Sequence, residues 1–186
     1  LSKYLGIYSL WQNTIKEYGL KWDKPNPLRT ILSILNTDLH DTEEWLFEAL
    51  KRCPRDVGAL LAFITLTGLR IVESVNSVNL ILGLSEKDKL SNYLNEELMM
   101  LEHFRYPNIF LRKSKNAYIS FVSKDLLNII LKYKPSLTHD DLKSRLRKRG
   151  FRIHLKDLRK LHGTILRKHV PSEVIDLLHG RVSSSI

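Results

Sequence analysis

Apolar residues recur at helical spacing along most of the chain, and one stretch is almost wholly apolar and carries no charge. Residues 57–68, "VGALLAFITLTG", read as a helix buried on all sides, the centre of a core. Just before it, "TDLHDTEEWLFEAL" offers Asp41 or Thr42 as an N-cap, acidic residues for the first turn, and Trp45, Leu46 and Leu50 along one face. Residues 5–20 show the same period at Leu10, Trp11, Ile15 and Tyr18, and Pro25 and Pro27 then turn the chain into a linker. A further helix is predicted over residues 84–104, with Leu90, Tyr93, Leu94, Leu98 and Leu101 as its apolar set.

The period changes once. "NIFLRKSKNAYISF", residues 108–121, alternates apolar and polar residues on both sides of "KSKN", which predicts a β-hairpin with a basic turn. Helical spacing then returns in "SKDLLNIILKY", ended by Pro135. Thr138 and Asp141 stand at capping-box spacing before a helix with a basic last turn and Gly150 as its stop. "LKDLRKLHGTILRKH" is another helix, and Pro171 with Ser172 opens a last one through Leu178. The sum is a mainly helical α+β domain with a small antiparallel sheet.

A length of 186 residues suits one main domain with a proper core. No segment approaches the roughly 18 uninterrupted apolar residues of a membrane span, and the first residues lack the pattern of a signal peptide, so a soluble protein without a membrane partner is expected. Cys53 is the only cysteine, which excludes an internal disulfide and a CxxC site and fits a cytoplasmic setting. Charge is unevenly spread: residues 1–100 hold 11 Lys/Arg against 13 Asp/Glu, whereas residues 101–186 hold 19 against 7. A second half at +12 points to a polyanionic partner.

Candidate chemistry is scattered along the chain. Arg70 with Glu73 three residues later, at the end of the charge-free helix, reads either as an ordinary ion pair or as an anchored cation. Lys113 and Lys115 tip the predicted hairpin, and Arg145, Arg147, Lys148 and Arg149 crowd the end of one helix. Lys156 and Arg159 lie one turn apart, followed by Lys160, Arg167 and Lys168, and His179 closes the last helix.

In chain order these residues form a pattern. An arginine in "TGLR" with an acid at +3, a hairpin lysine, a basic helix closed by glycine, a "KDLR" helix start and the "LLHGR" segment resemble the tyrosine recombinase (phage integrase) family from about Asp41 onward. Lys156 stands where that family usually has histidine, a substitution that resembles integrases of archaeal spindle-shaped viruses and archaeal plasmids. "LLHGR" is similar to the family's "LLGH" with the last two residues exchanged, which implies His179 as a phosphate ligand. The resemblance implies that residues 1–28 end a core-binding domain and its linker, and that residues 29–186 are a catalytic domain. The family's nucleophilic tyrosine lies beyond the "LLGH" segment, whereas Tyr133 is the last tyrosine here. The chain as it stands is therefore expected to be inactive in cleavage.

That family's reaction is a transesterification through a 3′-phosphotyrosyl link and needs no metal or cofactor. Charge builds on the non-bridging phosphate oxygens, and planar guanidiniums that keep their protons are suited to it. The implied roles are phosphate ligands for Arg70 and Arg159, support for Glu73, and general acid for Lys113 with Lys115 as its rival. Lys156 becomes a phosphate ligand or proton acceptor. Arg145, Arg147, Lys148, Arg149, Lys160, Arg167 and Lys168 become backbone contacts to double-stranded DNA. A synaptic homo-tetramer on two DNA sites, associated with the nucleoid of a host cell, follows from the same resemblance. A non-catalytic helical DNA-binding regulator is the alternative. A zinc protein or metal-dependent nuclease finds no HExxH motif or standard histidine spacing.

Overall fold

The charge-free stretch forms the central helix of the second of two units, Leu1–Asp38 and Leu39–Ile186, into which the chain divides. The computed structural model describes residues 39–112, 116–152 and 155–181. The helix and linker expected over residues 5–30 lie outside the described residues, as do Lys113 and Lys115. Helix α1 is Leu39–Arg52, α2 Arg55–Thr67 and α3 Ile71–Ser85. Short helix α4 is Pro107–Phe110, followed by α5 Lys124–Tyr133, α6 His139–Lys148, α7 Leu155–Leu166 and α8 Ser172–Leu178. Strands β1 (Leu94–Asn95), β2 (Met100–Leu101) and β3 (Ser120–Phe121) form an antiparallel sheet in that order. The described protein is mainly helical α+β, and none of its single helices is long and apolar enough to cross a membrane.

Helix α2 packs against α1, α3, α5 and α7. It can do so because Val57, Leu60, Leu61, Phe63 and Ile64 leave no polar side. The hydroxyls of Thr65 and Thr67 donate to the carbonyls of Leu61 and Phe63 one turn back, so neither is stranded in the core. Gly68 ends α2 in the left-handed conformation, with φ 63°. The next helix leaves at 113°, and Arg70 sits in the corner between the two.

Two expectations fail. Residues 84–104 are not a helix: α3 stops at Ser85, and β1 and β2 pair with Leu94 opposite Leu101 and Asn95 opposite Met100. Leu94 and Leu101 are seven apart, a separation that imitates two helical turns, but they are cross-strand partners. Asp88 and Met99 adopt positive φ, and Asn95 Oδ1 accepts the Leu98 amide at 3.1 Å, which closes the turn. Among the described residues, the two strands of the hairpin expected over residues 108–121 do not pair with one another either. Pro107, whose fixed φ suits a first helical position, starts the single turn of α4, and β3 pairs with β2 instead. What survives are two links across the loop base, from the Ala117 amide to the Phe110 carbonyl at 3.0 Å and from the Arg112 amide to Asn116 Oδ1 at 2.9 Å.

A buried relay holds the sheet to α3. Ser77 Oγ meets the Tyr93 hydroxyl at 2.8 Å, that hydroxyl meets His103 Nδ1 at 2.6 Å, and His103 Nε2 meets Ser120 Oγ at 2.8 Å. Burial drives the His103 imidazole down to about 3, so it is neutral.

Local signals hold better. Helix α1 begins ahead of Asp41, which therefore lies in its first turn rather than at the N-cap. Ser123 caps α5 by accepting the Leu126 amide. Thr138 Oγ1 accepts the Asp141 amide at 3.1 Å, and Asp141 Oδ2 accepts the Thr138 amide at 3.0 Å. The Thr138 hydroxyl and amide hold the Asp141 carboxyl below the usual range. Replacing Thr138 by alanine is expected to cost about 1 kcal/mol, seen as a lower denaturant midpoint with unchanged slope.

Candidate active site

The corner between α2 and α3 is built around one carboxylate. Glu73, in the first turn of α3, is 1% exposed, and its Oε2 accepts the Arg70 amide at 3.1 Å. Its Oε1 accepts from Arg70 Nη1 at 2.8 Å and from Arg112 Nη2 at 2.8 Å. Arg70 Nη1 also donates to the Asn116 carbonyl at 3.3 Å. A guanidinium with these partners cannot swing away, which is why an arginine and a glutamate interrupt an otherwise apolar run.

Arg159 comes from the second turn of α7 and donates through Nη2 to the carbonyl of His179. Burial pushes it down to about 10, with the neighbouring Arg70 cation adding to the shift and Arg181 contributing further. It remains a cation at neutral pH. Two arginines far apart in the chain thus lie close enough to repel one another, and an anion between them would relieve that repulsion.

The turn after α8 closes the third side. Gly180 has φ 55°, and a Cβ there would stand 1.6 Å from the Asn116 carbonyl oxygen, the atom that accepts Arg70. Behind the turn, His162 Nδ1 and His179 Nε2 meet at 3.0 Å with their rings stacked. Burial, then the Arg159 cation, lower His162 to about 4 and His179 to about 3. Gly68 and Gly163 leave room for the pair, because a Cβ on either would press against one of the two rings.

The sequence-predicted residues distribute unevenly. Arg70, Glu73 and Arg159 come together. His179 is present through its carbonyl, while its ring is buried and bonded to His162, with Nδ1 lacking a partner among the described residues. Lys156 is exposed one turn before Arg159 on α7. Lys113 and Lys115 lie outside the described residues, but the residues that bound them, Arg112 and Asn116, both bond into the site. Lys160 pairs with Asp157 at 2.9 Å. Arg145 pairs with Asp56, and Arg149 donates to the Arg52 carbonyl at 2.8 Å, so both tie α6 to the α1–α2 region. Arg147, Lys148, Arg167 and Lys168 are exposed.

Sequence reasoning missed Arg112, Arg181 and His162. Arg112 directly precedes "KSK" and was hidden by its position in an expected strand. Arg181 follows the glycine after α8 and pairs with Asp176 at 3.4 Å, near enough to Arg159 to add to the lowering of its pKa. His162 carried no distinguishing signal. Among the described residues no three of His, Cys, Asp and Glu gather as a metal ion would require. Compared with models of known protein families, with curated proteins and with solved structures, the chain matches none of them.

Proposed function

We propose that this site binds a DNA phosphodiester and belongs to the catalytic domain of a tyrosine site-specific recombinase, of the kind found in integrases of archaeal viruses and plasmids. The observation that carries the reading is that the loop whose Asn116 carbonyl holds Arg70, itself paired with the buried Glu73, packs against Gly180, next to the His179 carbonyl that holds Arg159. Two forked cations on separate rigid elements can hold both non-bridging oxygens while charge develops there. Lys156, one turn from Arg159, is the next phosphate ligand or the acceptor of the tyrosine proton, and a lysine of the 113–115 stretch protonates the leaving 5′-oxygen. Arg147, Lys148, Arg167 and Lys168 supply backbone contacts to the duplex, and synapsis joins four protomers on two sites.

The test is a covalent adduct. The chain, extended past Ile186 to the tyrosine that the reading requires, is mixed with a nicked duplex whose cleaved end diffuses away. An adduct that disappears when the tyrosine becomes phenylalanine is expected. Arg70→Ala or Arg159→Ala should each slow its formation by about a hundredfold or more. Tight DNA binding without any adduct would leave the non-catalytic regulator as the better account.

A further inference from the structure

We propose that Arg112 is a positioning residue that frees Arg70 to meet an anion, acting through the carboxylate they share. The inference rests on the phosphate-binding reading of the site and adds a residue to it. Glu73 Oε1 accepts one bond from each guanidinium, at 2.8 Å in both cases. With Arg70 alone, a buried carboxylate would form a closed neutral pair with it, and an incoming phosphate would have to compete with Glu73 for the same cation. Arg112 takes up part of that negative charge. The cluster of one carboxylate and two guanidiniums keeps a net positive charge, and Arg70 retains donors for a second anion.

A second route links the same residues. The Arg112 amide donates to Asn116 Oδ1 at 2.9 Å, and the Asn116 carbonyl accepts from Arg70 Nη1 at 3.3 Å. Arg112 therefore braces both acceptors that fix the Arg70 guanidinium. Its own side chain is 46% exposed against 29% for Arg70, so it stands on the outer side of the carboxylate.

A mutant cycle on the binding of a short DNA duplex, at one fixed salt concentration, tests this. Arg70→Ala should weaken binding, and Arg112→Gln should weaken it by about tenfold. In the Arg70→Ala background, Arg112→Gln should change nothing further. Arg112→Lys should recover most of the loss, because an ammonium still shares the Glu73 charge. Removing that charge should make Arg112 dispensable, so the Glu73→Gln, Arg112→Gln double variant should bind at least as well as Arg112→Gln alone. Merely structural damage would not be relieved in that way, and the double variant still tests the idea if Arg112→Gln by itself folds poorly.

Equal losses from Arg112→Gln with and without Arg70 would mean that Arg112 touches DNA independently, which overturns the positioning role and leaves the phosphate site intact. An Arg70→Ala variant that binds as well as the parent would overturn the phosphate site itself, and this inference with it.

Discussion

Gly180→Ala is expected to destabilise the domain by about 2–4 kcal/mol and, on the DNA-binding function proposed above, to cost DNA affinity beyond what the loss of folded protein explains. Two effects combine. A side chain at φ 55° is strained by about 1–2 kcal/mol, and the new Cβ would lie 1.6 Å from the Asn116 carbonyl oxygen and 2.5 Å from its carbon. Those are backbone atoms, so no rotamer change can relieve the contact. Either the turn after α8 lifts away or the loop at Asn116 retreats. The first withdraws the His179 carbonyl from Arg159, and the second withdraws the Asn116 carbonyl from Arg70. Gly150→Ala is the control. Gly150 has φ 78° but nothing within 4 Å of the added carbon, so only the strain, about 1–2 kcal/mol, should appear. Chemical denaturation of the two variants gives the comparison, and equal losses would mean that the close packing at Gly180 contributes nothing.

The second large effect is acid sensitivity. His103 and His179 are held near 3 and His162 near 4, each chiefly by burial, against an ordinary value of 6.5. Below that ordinary value the unfolded chain binds protons that the folded chain refuses. The stabilisation is therefore complete above about pH 6.5 and is lost progressively as the pH falls toward the folded values. Between pH 7 and pH 5 each histidine should withdraw about 2 kcal/mol, a sum comparable with the whole stability of a domain this size. Urea midpoints measured across that range should fall steeply. A flat profile would mean that the three imidazoles are already charged or are reached by water in the native state. His103→Gln removes one of the three protons, and the slope should become shallower by about a third if they act independently.

DNA affinity, on the proposed function, should decline only at lower pH, from about 4 downward, where these two rings charge in the folded protein. His162 and His179 sit behind Arg159, and charging either one would add a like charge beside that guanidinium, while charging both would leave two donors facing each other and break their mutual contact at 3.0 Å. The turn that carries the His179 carbonyl would then lose its inner support.

Helices were legible along the chain because their signals are local. The spacing of Thr138 and Asp141, the prolines at 135 and 171 and the charge-free run of α2 all act within a few helical turns. The ends of α5, α6 and α8 could be read from a few residues each. The +12 charge of the second half was equally plain, since counting requires no neighbours. Strands were misread because a two-residue strand has no period of its own. Leu94 and Leu101 satisfy a helical pattern and a ladder equally well, and what separates the two is the partner supplied by Ser120 and Phe121.

The same distinction divides the candidate site. Arginine, glutamate and lysine in the order "TGLR…E", "KSK" and "KDLR" suggest the proposed anion chemistry without any neighbours, because only certain side chains can hold an anion. Which cations face one another depends on contacts made across the fold. Arg145 and Arg149 resemble Arg147 in the sequence, yet Asp56 and the Arg52 carbonyl draw them into the scaffold. Arg112 looks like one more charge beside a lysine loop, until Glu73, 39 residues earlier, is found to hold it against Arg70. Hydrophobic period and capping act through the backbone nearby, whereas the sharing of one carboxylate between two arginines exists only after α2, α3 and the loop at Asn116 have been brought to the same place.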